Sequence, residues 1–217
     1  AHLGFVWIEI TVHGRAAHGS RWELGIDAIR HAGLLLAELD RIETNDLPRQ
    51  SHPLLGRPSI HASTISGGSG MSTYPDRCTI RVERRTLPGE TPQQVFDECL
   101  DACARVTSAR RTFHADVTVM FSQAASDVPV DSPIVRALSE ALRGSGETVR
   151  VEGMTAWTDA ALLNAAGVPA ICFGPGDIAL AHSANEWVPV AEIERATGVL
   201  TRLAVGWCGQ RGNTWRN

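Results

Sequence analysis

From Phe5 to His13 the apolar residues Val6, Ile8, Ile10 and Val12 alternate with Trp7, Glu9, Thr11 and His13. This two-residue period predicts a half-buried strand, which Gly14 ends. After a loop, Gly25 to Ile42 carries Ile26, Ile29, Ala32, Leu36 and Leu39 at helical spacing, an amphipathic helix. Arg57–Ser66 and Cys78–Thr86 read as two more strands, joined as a hairpin across the turn-rich GGSGMSTYPD. Thr91 at a cap position and Pro92 at the first helical position start a second helix. A fourth strand follows at Phe113–Phe121, with Phe113, Ala115, Val117, Val119 and Phe121 on one face.

The order strand, helix, strand, strand, helix, strand is the ferredoxin-like split pattern, βαββαβ. It predicts a four-stranded antiparallel sheet with two helices on one face, over residues 1–122. Residues 123–217 have a different texture. SPIVRALSEALRGSG reads as a helix ended by glycine, TVRVEG as a short strand and TDAALLNAAG as a helix. VPAICFG then reads as an apolar strand and VAEIERATGVLTRLAVGWC as a closing helix. The fold class is therefore α/β (α+β), a ferredoxin-like domain followed by a partial α/β layer. Two strands with three helices do not cover both faces of a parallel sheet, so that layer is expected to be completed by chain preceding residue 1.

Composition narrows the partners. The chain has 217 residues, 43% of them apolar, and a net charge of −4 without a long run of either sign. Nothing here resembles a nucleic-acid footprint or a polybasic membrane anchor, and no apolar run approaches the roughly 20 residues that span a bilayer. A small-molecule or protein partner is expected. Five cysteines, an odd number without a C-x-x-C pair, fit a reducing, cytoplasmic setting. Cys99 and Cys103 share a stripe with Val95, Phe96 and Val106, which makes them core residues rather than ligands.

Several residues carry candidate chemistry. His18 lies among small residues in GRAAHGS, a loop that a ligand can approach. His182 stands in GPGDIALAHSANEW, with glycine turns upstream and Glu186 four residues downstream, placed either to orient the imidazole or to face solvent. His114 and Asp116 spell H-x-D on the polar face of the fourth strand and read as surface residues. Asp159 opens a helix, where an acid caps the exposed N–H groups. GGSGM around Ser69 has Met71 where a serine-nucleophile turn needs glycine, so that chemistry is excluded.

Taken in order, GRAAHGS…GIDAI, GGSGMSTYPD, ERRTLPGE, TDAALLNAAGVPAICFGPGD and AHSANEWV resemble the two-metal amidohydrolases. That family includes aminoacylase, acetylornithine deacetylase, succinyl-diaminopimelate desuccinylase and carboxypeptidase G. The resemblance runs from Gly4 to about Trp207. It implies a lid and dimerisation domain (1–122) followed by the C-terminal segment of a metal-binding catalytic domain (123–217). It further implies that His182 is a ligand of one of two divalent ions, zinc first, with cobalt or manganese as substitutes. His18 would reach into a partner's site to stabilise an oxyanion, Arg85 would bind the substrate carboxylate, and Gly174 and Gly176 would lie against the substrate. Ser72 stands where the family commonly has an asparagine in N-x-x-P-D, so a hydroxyl replaces an amide there. The implied activity is hydrolysis of the amide bond of an N-acyl amino acid or peptide-like substrate, by a homodimer.

The same resemblance requires an H-x-D ligand pair on the catalytic domain, a bridging aspartate and a Glu-Glu pair holding the general base. No Glu-Glu pair occurs in the sequence. The resemblance therefore implies a fragment that is inactive by itself, and the rival expectation is a non-catalytic dimerising or binding module.

Overall fold

The computed structural model describes residues 1–209. The chain forms two compact units, one of residues 1–127 with 153–158, the other of residues 128–152 with those from 159 onward.

In the first unit, β1 (Gly4–His13), α1 (Ala28–Arg41), β2 (Ser59–Gly67), β3 (Arg77–Thr86), α2 (Pro92–Ala109) and β4 (His114–Gln123) follow in chain order. One turn of wider π-helix (Ile42–Asp46) and a 3-10 turn (Leu47–Arg49) extend α1. The sheet order is β2-β3-β1-β4 with every pair antiparallel, the ferredoxin-like arrangement expected from the element order. Val6, Ile8, Ile10 and Val12 of β1 are all buried against α1 and α2. A one-residue slip of β1 would turn these four side chains to the opposite face, a loss of about 6–12 kcal/mol at 1.5–3 kcal/mol each, so the register is firmly set.

Local signals explain the helix starts. Asp27 caps α1 by accepting from the Arg30 N–H at 2.9 Å. Thr91 and Gln94 form a reciprocal capping box on α2, with Pro92 in the first turn. Cys99 and Cys103 are core residues, as the stripe implied.

Two details of the expected pattern are corrected. The buried stripe of α1 runs through Ala28, His31, Ala32, Leu35 and Leu39, while Ile29 is exposed and Leu36 only partly buried. The sheet presents its side chains to a line one residue round the helix from the most apolar one, and small Ala28 admits the close approach. On β4, Ile8 pairs with Val119 but Trp7 pairs with Phe121, so Met120 is an extra residue in a β-bulge. The bulge reverses the alternation and moves Phe121 to the open face, beside Trp7 at 5.7 Å between ring centroids.

The second unit contains α3 (Pro133–Gly144), α4 (Ala160–Ala165), a 3-10 turn (Ile178–Leu180) and α5 (Val190–Gly209). Leu138 and Ala141 of α3 pack on Val199 of α5. Neither strand expected here, TVRVEG or VPAICFG, forms a ladder among the described residues. A strand exists through the partner that satisfies its N–H and C=O groups, and an apolar run alone does not supply one. In the second segment the two-residue period survives as packing, with Ile171 and Phe173 on the α3–α5 cluster. Just after TVRVEG the chain rejoins the first unit. The Leu3 N–H donates to the Met154 carbonyl, the Met154 N–H donates to that of Ala1, and Trp157 packs edge-on against Phe5.

Candidate functional site

The GRAAHGS loop is fixed at both ends. Gly14 leaves β1 where an added Cβ would collide with the carbonyls of Ile26 and Pro75, so only glycine lets the ends of β1 and the entries to α1 and β3 meet. The loop is then laced to the β2–β3 connection: the Gly19 N–H donates to the Ser72 carbonyl at 2.7 Å and the Tyr74 N–H to that of Ala17 at 2.8 Å. His18 and Ser72 are thereby brought to one place at one end of the sheet, both exposed.

His18 is oriented by Ser20, the last residue of the same GRAAHGS segment. Its Nδ1 accepts the backbone N–H of Ser20 at 3.2 Å and lies 2.8 Å from the Ser20 hydroxyl. Because a backbone N–H can only donate, the neutral ring carries its proton on Nε2. That N–H lies across the ring from the Ser20 contacts.

Arg85 lies elsewhere. It pairs with Phe5 near the far end of β3, eight residues from Arg77, which is about 27 Å at the usual strand rise. Its guanidinium sits over the Phe5 ring at 5.5 Å and pairs with Glu83 at 3.1 Å. A carboxylate ligand would have to draw it off Glu83. The neighbouring Arg84 is wholly different in role: its side chain is 2% exposed and paired with Glu90 at 2.6 Å and Glu98 at 3.1 Å. Burial pushes the Glu98 carboxyl up, and the Arg84 charge pulls it only part of the way back.

In the second unit, Asp177 accepts from the Ala179 N–H at 2.9 Å and starts the short turn that delivers His182. His182 is exposed and has φ +62°, the one non-glycine residue at positive φ among those described. Its own N–H donates to Glu186 Oε2 at 3.1 Å, so Glu186 holds the backbone of the histidine rather than its ring. Gly176 needs its φ of +91°, and its N–H is taken by Glu192 Oε2 at 2.9 Å. Gly174 stands with open space where a side chain would be. Asp159 precedes α4 but makes no side-chain cap bond, because its backbone is already helical.

Among the described residues the one group of three or more imidazole, thiol or carboxylate donors is His13, His114 and Asp116; His182 belongs to none. The described residues fit one ligand of a two-metal centre, not the centre. His114 and Asp116 are indeed exposed, as expected, but His13 joins them from β1. The signal for it lay in the strand register, since His13 pairs directly with His114.

The ferredoxin-like sheet thus carries an exposed, oriented histidine loop at one end, and the second unit carries a strained histidine. The chain belongs to the peptidase dimerisation domain family, M20_dimer, which matches residues 1–110. It is 29% identical over 213 residues to acetylornithine deacetylase of Myxococcus xanthus, covering 97% of this chain and 55% of that protein. It is 25% identical over 228 residues to N-formyl-4-amino-5-aminomethyl-2-methylpyrimidine deformylase of Bacillus subtilis, covering 94% and 54%. The crystal structure of aminopeptidase PepT from Bacillus cereus shares the fold, with a TM-score of 0.74 at 20% identity over 93% of this chain and 51% of that one. The chain thus spans about half the length of the curated relatives it matches. No helix among the described residues is long and apolar enough to cross a membrane.

Proposed function

We propose that this chain supplies the lid and the C-terminal part of the metal-binding domain of a metal-dependent amide hydrolase. The substrate class is an N-acyl amino acid or peptide-like molecule carrying a carboxylate. The observation that carries the reading is the orientation of His18. An imidazole whose Nδ1 is occupied by Ser20 presents a fixed Nε2–H donor. That is the group needed where negative charge develops on a scissile carbonyl oxygen. His18 is exposed, so a second copy of the chain can present its own site to it.

The remaining roles are those that the family resemblance implies. The Ser72 hydroxyl, beside His18, donates a hydrogen bond to the substrate. Arg85 binds the carboxylate once its guanidinium leaves Glu83. Gly174 and Gly176 shape the wall of the pocket, and His182 ligates one of two divalent ions, zinc first. The strained backbone of His182 supports this, because a positive φ outside glycine costs about 1–3 kcal/mol and persists where surrounding structure and function hold it. The other ligands and the general base come from outside this sequence. The second unit also leaves Leu162, Val168, Trp187, Ile193, Leu200 and Val205 exposed, the surface of a layer that packs against more protein.

The test is hydrolysis of N-acetyl amino acids by the whole protein, with and without chelator. Turnover that survives complete metal removal contradicts the reading. For the 217-residue chain alone, a second reading is favoured by the single ligand at His182: a dimerising module without turnover of its own. Hydrolysis by the isolated chain would refute that second reading, and a monomer in sedimentation of the whole protein would refute the shared site.

A further inference from the structure

The geometry points to a second, independent metal site on the open face of the sheet, where His13, His114 and Asp116 bind one divalent transition-metal ion. β1 and β4 pair antiparallel with His13 directly opposite His114, and Asp116 is two residues further along β4, on the same face. The imidazole rings of His13 and His114 stack at 5.3 Å between centroids, and His13 Nε2 is 2.7 Å from Asp116 Oδ2. One ligand atom from each residue lies within 4.8 Å of the others. Tetrahedral zinc with ligands at 2.0–2.2 Å separates them by about 3.3–3.5 Å, so modest side-chain rotations close the site. The ion takes the place of the proton now shared between His13 and Asp116, and water fills the open position.

The donor set selects the ion. Two imidazoles and one carboxylate suit zinc, copper, nickel or cobalt, whereas calcium and magnesium require a shell of oxygens. Arg77 stands opposite His13 on β3, and its charge opposes a cation. The Asp116 carboxylate offsets that charge beside the two imidazoles. The backbone spacing of these donors is fixed by the ladder rather than by a loop, so little chain order has to be gained on binding. This site does not depend on the role proposed for His182, which lies in the other unit.

The full chain, stripped with chelator and dialysed, would be titrated with Zn2+ by calorimetry and with Co2+ by visible absorption. The same titrations would be run on His114→Asn, His13→Gln and His182→Ala. One equivalent should bind to the wild type and equally to His182→Ala. Outer-shell partners alone are worth about 10–100-fold in affinity, so loss of a ligand in His114→Asn or His13→Gln should weaken binding at least ~10-fold. Substoichiometric Ni2+ should broaden the ring resonances of His13 and His114 in the wild-type chain before those of His18 and His61, a readout that needs no variant. No zinc uptake by the wild type, wild-type titrations in His114→Asn and His13→Gln, or broadening that begins elsewhere would each overturn the proposal.

Discussion

Replacing Arg84 by methionine removes the charge at the centre of a buried network while keeping most of the side-chain volume. In the wild type the guanidinium donates to Glu90, Glu98 and the Arg85 carbonyl, and Glu90 also accepts the Leu87 N–H. The variant leaves two carboxylates, 18% and 22% exposed, facing an apolar group. Breaking a buried pair by removing one partner costs about 3–5 kcal/mol, and the residual exposure of both acids places this case near 3. That is a large share of a typical 5–15 kcal/mol of stability, and at about 2 kcal/mol per molar it lowers the urea midpoint by roughly 1.5 M. Protection of the Cys99 thiol reports on this unit alone, since Cys99 is buried on α2 beside Glu98.

The loss should also depend on pH with a definite sign. Glu98 already has a folded pKa above its unfolded one, and without Arg84 that gap widens. Between the two values the folded state binds the extra proton, so stability falls as pH rises through the window. The deficit of Arg84→Met should therefore be smaller at pH 5 than at pH 7, and Glu98→Gln in the same background should recover part of it. A deficit under about 0.5 kcal/mol at pH 7, within the range of ordinary surface substitutions, would refute the reasoning, as would one that does not change with pH.

Burial pushes the Cys99 thiol up to about 12 and the Cys103 thiol up to about 11, and Cys78 is raised for the same reason. These three should resist thiol reagents until the first unit unfolds, as peptide mapping of labelled native protein would show. Glu38 is held below the usual carboxylate range by Arg41 and by Arg105 of α2. Its folded pKa lies below the unfolded value, so its contribution is present above that value and lost as pH falls through the folded one. Being partly exposed, it should cost Glu38→Gln no more than about 1 kcal/mol at pH 7 by urea titration, and less at pH 3. His182→Gly should be at least as stable as His182→Ala, by about 0.5–1 kcal/mol in thermal unfolding, because only glycine relieves the positive φ. A less stable glycine variant would contradict the strain.

How much of this was legible in the sequence depended on whether the determining interaction was local. The strands and helices of the first unit could be read because alternation and the Thr91–Pro92 cap act within a few residues. The face of Phe121 could not, since the bulge at Met120 arises only when β4 pairs with β1. Arg84 sits at a core-facing position of an otherwise plain alternation, and nothing near it announces the partners Glu90 and Glu98. The two strands expected after residue 147 failed for a related reason: apolar runs signal burial, and a ladder requires a neighbour. At the candidate site, the motifs located His18 and Ser72 in separate segments, and the backbone bonds between Gly19 and Ser72 join them. The distance of Arg85 from that pair was not visible, because a motif records order along the chain and not which end of a strand a residue occupies.

The central claim, that His18 of one subunit serves the site built around His182 of another, has a direct test by complementation in the whole protein. His18→Ala and His182→Ala are expected to be nearly inactive as homodimers. Random reassociation of the two makes half of the dimers mixed, each with one intact composite site, so about a quarter of wild-type activity should return. If the mixture stays as inactive as its parents while sedimentation shows that subunits have exchanged, His18 does not act across the dimer and the account is wrong.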